Sequence, residues 1–143
     1  MNLLEKNLAL LRKTSPAFAE MISQASCEAE CSPAKIQGFH LQFRGKSLNS
    51  RIDPVKEAQR ITEKEDFSKR SLLILGGMEL GYQLQALMKK YPQLPVLVVE
   101  KQTSILKAAF SVTDFEPLFT SGRLEILVPE TPQMLFEFLK SRT

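Results

Sequence analysis

The chain has 143 residues, of which 43% are hydrophobic, and a formal net charge of +3. This is enough apolar material for a core, so a disordered chain is excluded, and the length fits one domain or one domain with a small appendage. The basic excess is mild, Lys and Arg never exceed two in a row, and Trp is absent, so no basic groove for nucleic acid is expected.

No apolar stretch approaches about 20 residues, so no membrane span is expected. Met1-Asn2-Leu3-Leu4 runs straight into charges, which is no signal peptide, and a cytoplasmic protein is the expectation. Cys27 and Cys31 read as free thiols near a helix end. His40 is the only histidine, so a metal site lacks ligands and none is expected.

In chain order, Asn2 to Lys13 reads as a helix with Leu4, Leu8 and Leu11 on one face. Ser15-Pro16 starts a second helix, carrying Phe18, Met21, Ile22 and Ala25, and Ser32-Pro33 ends this helical pair. Phe39, Leu41 and Phe43 then alternate with polar partners as in a half-buried strand. Arg44-Gly45 is its turn, residues 46–50 return antiparallel, and His40 falls on the polar, surface side. Asp53-Pro54 caps a helix whose apolar face is Val55, Ala58 and Ile61, with Lys56, Glu57, Arg60, Glu63 and Lys64 solvated. The polar stretch Asp66 to Arg70 is a linker.

From Ser71 the pattern changes to regular alternation. Leu72 to Leu75 and Val96 to Val99 are short apolar runs that read as strands, and Leu124 to Val128 reads as a third strand. Helical patterns follow each of them, around Leu80–Lys90, Thr103–Phe110 and Thr131–Leu139, and residues 114–121 hold one further helical turn. The expected fold is therefore α/β: a three-stranded parallel Rossmann-like half-domain (βαβαβα) over residues 67–143, with an N-terminal helical and β-hairpin appendage over residues 1–66.

Ligands of open parallel sheets bind outside the carboxyl ends of the strands. Those ends present Gly76, Gly77, Glu79, Gly81 and Tyr82 after the first strand and Glu100 after the second. Glycines let a ligand approach the backbone, and an acid at the end of the second strand suits ribose hydroxyls. These residues are the candidate ligand-binding set. The run Gly76-Gly77-Met78-Glu79-Leu80-Gly81 is not G-x-G-x-x-G, and the Glu79 carboxylate would repel a diphosphate at the helix N-terminus. A purely structural turn and a nucleoside-type ligand held by Glu100 both remain open. No P-loop, zinc-protease or nucleophile–base motif is present, and no catalytic residue is assigned.

Two stretches carry a family resemblance. One is Arg44-Gly45-Lys46-Ser47-Leu48 followed by Asn49-Ser50-Arg51-Ile52-Asp53-Pro54-Val55-Lys56-Glu57-Ala58-Gln59-Arg60. The other is Leu73-Ile74-Leu75-Gly76-Gly77-Met78-Glu79-Leu80-Gly81-Tyr82 with Val98-Val99-Glu100. Together they resemble the N-terminal domain of the bacterial motility-associated factor (Maf) family, glycosyltransferases linked to sialic-acid-like decoration of flagellin. The family's loop reads Gly-x-Gly-x-Gly-Tyr; Gly77, Gly81 and Tyr82 match it, and Glu79 replaces the middle glycine. Family members continue into a larger transferase domain, so the resemblance implies an accessory domain, a truncated piece or a stand-alone relative, non-catalytic by itself. It implies a transferase domain or a flagellin-related protein as partner, and a nucleotide sugar as ligand if there is one. The alternatives are a small S-adenosylmethionine-binding, methyltransferase-like domain and a purely structural or interaction domain, including a homo-oligomer.

Overall fold

The computed structural model describes residues 2–141. Met1, Arg142 and Thr143, at the outer ends of the two expected regions, lie outside the described residues.

The N-terminal helices are α1 (Leu3–Arg12) and α2 (Pro16–Ser23). Asn2 caps α1, its Oδ1 accepting from the Glu5 N–H at 2.8 Å. Pro16 opens α2 as expected, but the Ser15 hydroxyl makes no capping bond.

The chain then departs from the expected helical continuation. Residues 29–33 form a strand, β1 (Ala29–Pro33), which pairs antiparallel with β2 (Phe39–Phe43), and β2 pairs with β3 (Lys46–Ser47). Ala-Glu-Cys-Ser-Pro has little strand propensity of its own. It is drawn into the sheet as an edge strand by β2, with Pro33 at its last pairing position opposite Phe39. Cys31 therefore sits half-buried in a strand, and Cys27 is exposed before it; both thiols are free, as expected. Arg44 and Gly45 both have positive φ (51° and 78°), which is the two-residue hairpin turn the sequence indicates.

His40 is a correction: it is 5% exposed, not a surface side chain. Its Nε2 lies 2.6 Å from the Ser47 hydroxyl of β3. Helix α3 (Pro54–Glu63) opens as expected, with Asp53 accepting from the Lys56 N–H at 3.0 Å. Its buried residues are Pro54, Ala58 and Thr62, whereas Ile61, expected on the apolar face, is left exposed.

The second half is the expected parallel sheet. Strands β4 (Leu73–Gly76), β5 (Val96–Val99) and β6 (Leu124–Leu127) lie side by side in that order, linked through α4 (Tyr82–Lys90) and through α5 (Thr103–Val112) with the short α6 (Glu116–Thr120); α7 (Pro132–Ser141) follows β6. Leu73, Val96 and Leu124 stand in one register row, and Leu75, Val98 and Ile126 in another. These rows face the main core with Leu84, Leu87, Leu106 and Phe110. The alternate row, Ile74, Leu97 and Glu125, lines an apolar groove of about 510 Å³ with Phe138 and Leu139 of α7.

One hydrophobic cluster joins residues on both sides of position 66. Leu8, Leu11, Ala19, Ile22 and Leu41 pack with the parallel sheet's inner row and with α5. Buried Asn7 fastens α1 to the far end of α5: its amide donates to the Phe110 and Thr113 carbonyls (2.9 and 2.8 Å), and its Oδ1 accepts from the Phe115 N–H at 3.0 Å. Phe110, Phe115 and Phe119 stack beside it, with centroids 4.8 to 5.7 Å apart. Arg123, just ahead of β6, donates to the Met88, Tyr91 and Leu94 carbonyls (3.0, 2.8 and 2.6 Å) and so satisfies the end of α4. The polar linker is also tied down, since Tyr91 Oη donates to the Glu65 carbonyl and accepts from the Phe67 N–H.

Candidate functional site

Each parallel strand ends where its backbone is caught by its neighbour. Gly77 N–H donates to the Val99 carbonyl at 2.8 Å, and Glu100 N–H donates to the Leu127 carbonyl at 3.0 Å. The chain after β4 then coils tightly, with positive φ at Gly77 (97°), Glu79 (47°) and Gly81 (90°). Glu79 is the one non-glycine among these three, and it occupies a conformation that costs an L residue about 1 kcal/mol.

Glu100 holds this turn. Its residue is 7% exposed, and its two oxygens accept from different loops: Oε1 from the Met78 N–H and Oε2 from the Gln102 N–H, both at 3.0 Å. A buried carboxylate bridging two backbone amides is a strong, charge-assisted clamp. It welds the β4–α4 turn to the start of α5. Met78, 2% exposed, anchors the same turn from the core side.

The candidate residues separate into three places. Gly76, Gly77 and Glu100 share a concavity of about 490 Å³ at the rim, together with Lys101, Thr131 and Leu135. Glu79 and Tyr82 line a different crevice, of about 270 Å³, between α3, the end of the hairpin and α4. Gly81 lines neither: a Cβ there would meet the Phe115 ring at 3.0 Å, so its smallness and its left-handed φ both serve packing.

Sequence reasoning missed the other polar members of the second crevice. Glu57 was expected to be solvated; it is half-buried and accepts from the Ser50 N–H at 3.1 Å. Asn49 spans the hairpin, its Oδ1 accepting from Leu41 N–H and its amide donating to the Phe39 carbonyl. Gln83 completes the lining. The only sequence signal for Asn49 and Glu57 was their membership of the Asn49–Arg60 stretch. Tyr82 Oη accepts from the Phe39 N–H at 2.8 Å and so joins α4 to the hairpin. Burial raises its pKa, while that same N–H works in the opposite sense.

Electrostatically, Glu79 is the most strongly shifted of the candidate residues, although the residue as a whole is exposed. Crowding that strips water from its carboxylate, then the negative charges of Glu57 and Glu100, push its pKa up to about 7. Near neutral pH it is therefore only partly ionised, which weakens the repulsion expected toward an anion at this turn. Among the described residues no group of three or more His, Cys, Asp and Glu is placed to hold a metal ion, and no helix is long and apolar enough to cross a membrane.

Comparisons with known proteins agree with this architecture. The structure of a Maf glycosyltransferase from Magnetospirillum magneticum AMB-1 superposes with a TM-score of 0.77 at 18% identity, over 97% of this chain and 29% of that one. That likeness speaks for the fold, and the chain spans less than a third of the length of that protein. No curated protein matches the sequence. The model of the Maf glycosyltransferase N-terminal domain matches residues 31–141, from the first strand of the hairpin sheet to the end of α7, and the chain therefore belongs to that family.

Proposed function

We propose that the chain is a non-catalytic module of a bacterial, cytoplasmic protein of flagellin glycosylation, and that it positions a transferase domain or a flagellin-related partner. The observation that carries this reading is the Glu100 clamp. The acid that would serve a ribose is instead buried and occupied by Met78 and Gln102 amides, so the glycine turn is held as a packed structural corner. Gly81, the glycine that would open a helix toward a phosphate, is used to pass beneath Phe115.

A nucleoside-type ligand is the second reading, supported by the rim concavity beside Gly76 and Gly77. Thermal-shift titration with nucleotide sugars and with S-adenosylmethionine separates the two. A ligand at about 100 times its Kd stabilises by ~2.7 kcal/mol. The expected result is no shift with either class. A saturable shift that disappears in Gly77→Val would replace the positioning role with a ligand-binding one.

A further inference from the structure

Among the described residues the molecule has four sheet edges, two in each three-stranded sheet. Three of them carry features that discourage a further strand from adding. Strand β1 holds the exposed Glu30 and ends at Pro33, β3 is two residues long and begins with Lys46, and β6 contains Glu125. Strand β4 differs: Leu73-Ile74-Leu75-Gly76 has no charge and no proline, and its register with β5 runs without a bulge.

The β4 edge is also open. Leu72, Ile74 and Gly76 are exposed, and β5 is the only strand beside β4. The amides of Leu73 and Gly77 donate to the Pro95 and Val99 carbonyls (3.0 and 2.8 Å), on the β5 side. Backbone groups alternate in direction along a strand, so those of Ile74 and Gly76 face away from β5. Neither N–H has a partner among the described residues. The two ends of the strand differ in charge. Lys69 and Arg70 precede it and Glu79 follows it; all three are exposed, and none makes an ion pair among the described residues.

We propose that the free edge of β4 takes a second copy of this chain, the two β4 strands pairing antiparallel about a two-fold axis at Ile74. The two three-stranded sheets then become one continuous sheet. The outward-facing residues set the register: Ile74 meets Ile74 of the second copy, and Leu72 meets its Gly76. Antiparallel pairing also carries the basic start of one strand, Lys69 and Arg70, to the end of the other that bears Glu79. A parallel partner of the same sequence would set like charges together. The outer groove lined by Leu72, Ile74, Phe138 and Leu139 continues across the axis into its counterpart, and Ile74 is covered on its open side.

Sedimentation of the whole chain from about 5 to about 200 µM tests this, because a dimer must dissociate on dilution. Measurements are made at about pH 8, above the Glu79 pKa of about 7, so that its carboxylate is ionised. The wild type is expected to dimerise, and Ile74→Lys to stay monomeric with an unchanged circular dichroism spectrum. Lys69→Glu is expected to weaken the dimer several-fold, and Lys69→Glu with Glu79→Lys to restore it. Opposed residues of a hydrogen-bonded antiparallel pair stand about 5.5 Å apart at Cα, within disulfide reach. Air oxidation of Ile74→Cys should therefore give a dimer linked from residue 74 to residue 74, identified by mass spectrometry of its peptides. A wild type that stays monomeric throughout would overturn the proposal in favour of a strand from a different protein. Dimerisation that survives Ile74→Lys, or that ignores Lys69→Glu, would overturn it as well.

Discussion

The two faces of the parallel sheet are built from the same kinds of residue and are treated very differently. On the inner face Leu73, Val96 and Val98 are at most 7% exposed and meet α4 and α5. On the outer face Leu97 of the central strand is buried as well, at 3%, but Ile74 of the edge strand is 52% exposed, and Leu72, and Met134 and Phe136 of α7, are also open. Parallel strands ordinarily read as unbroken apolar runs because both faces are covered. Here the run Leu72–Leu75 has that composition while only one side is filled. An apolar strand thus announces a sheet without saying how much of its outer face is packed.

The contrast is sharpest at Phe110. Phe110→Ala should destabilise by about 4 kcal/mol, because it empties the centre of the aromatic stack against Phe115 and Phe119; a denaturant midpoint with unchanged slope measures it. Gly81→Ala comes next, at about 2 kcal/mol, since the new methyl needs both a left-handed backbone and room under Phe115. A loss below about 0.5 kcal/mol there would show that the turn relaxes freely and that the inner face is less tightly packed than its burial indicates. On the other face, Ile74→Thr should change stability by less than about 0.5 kcal/mol. A large loss at Ile74 would erase the distinction between the faces.

What was legible in the sequence follows the same division. The first two parallel strands stood out because each is a short, uninterrupted apolar run closed by Gly or Glu; the third, closed by Pro129, is apolar apart from Glu125. The spacing also brought Gly76, Gly77 and Glu100 to one rim, where the structure places them. Strand β1 was hidden because Ala29–Pro33 has no strand composition of its own; its pairing comes from Phe39–Phe43, further along the chain. His40 was misread because alternation reports one buried face, while Ser47 of β3 supplies the partner that lets the other side be buried as well. Glu79 and Tyr82 left the rim because the successive left-handed turns at 77, 79 and 81 swing that segment toward α3. Nothing in residue spacing encodes such a swing when one of the three positions is a glutamate.

Arg123 has a consequence for how the molecule comes apart. Its guanidinium closes off carbonyls at residues 88, 91 and 94, although it arrives from the opposite side of β5 in the chain order. Detaching the last strand therefore strips the final turn of α4 of its acceptors' partners in the same event. Helix fraying and strand release become a single opening with one shared free energy. Amides near Leu87–Tyr91 and those of Leu124–Leu127 should consequently behave as members of one exchange unit, despite more than thirty residues of intervening chain.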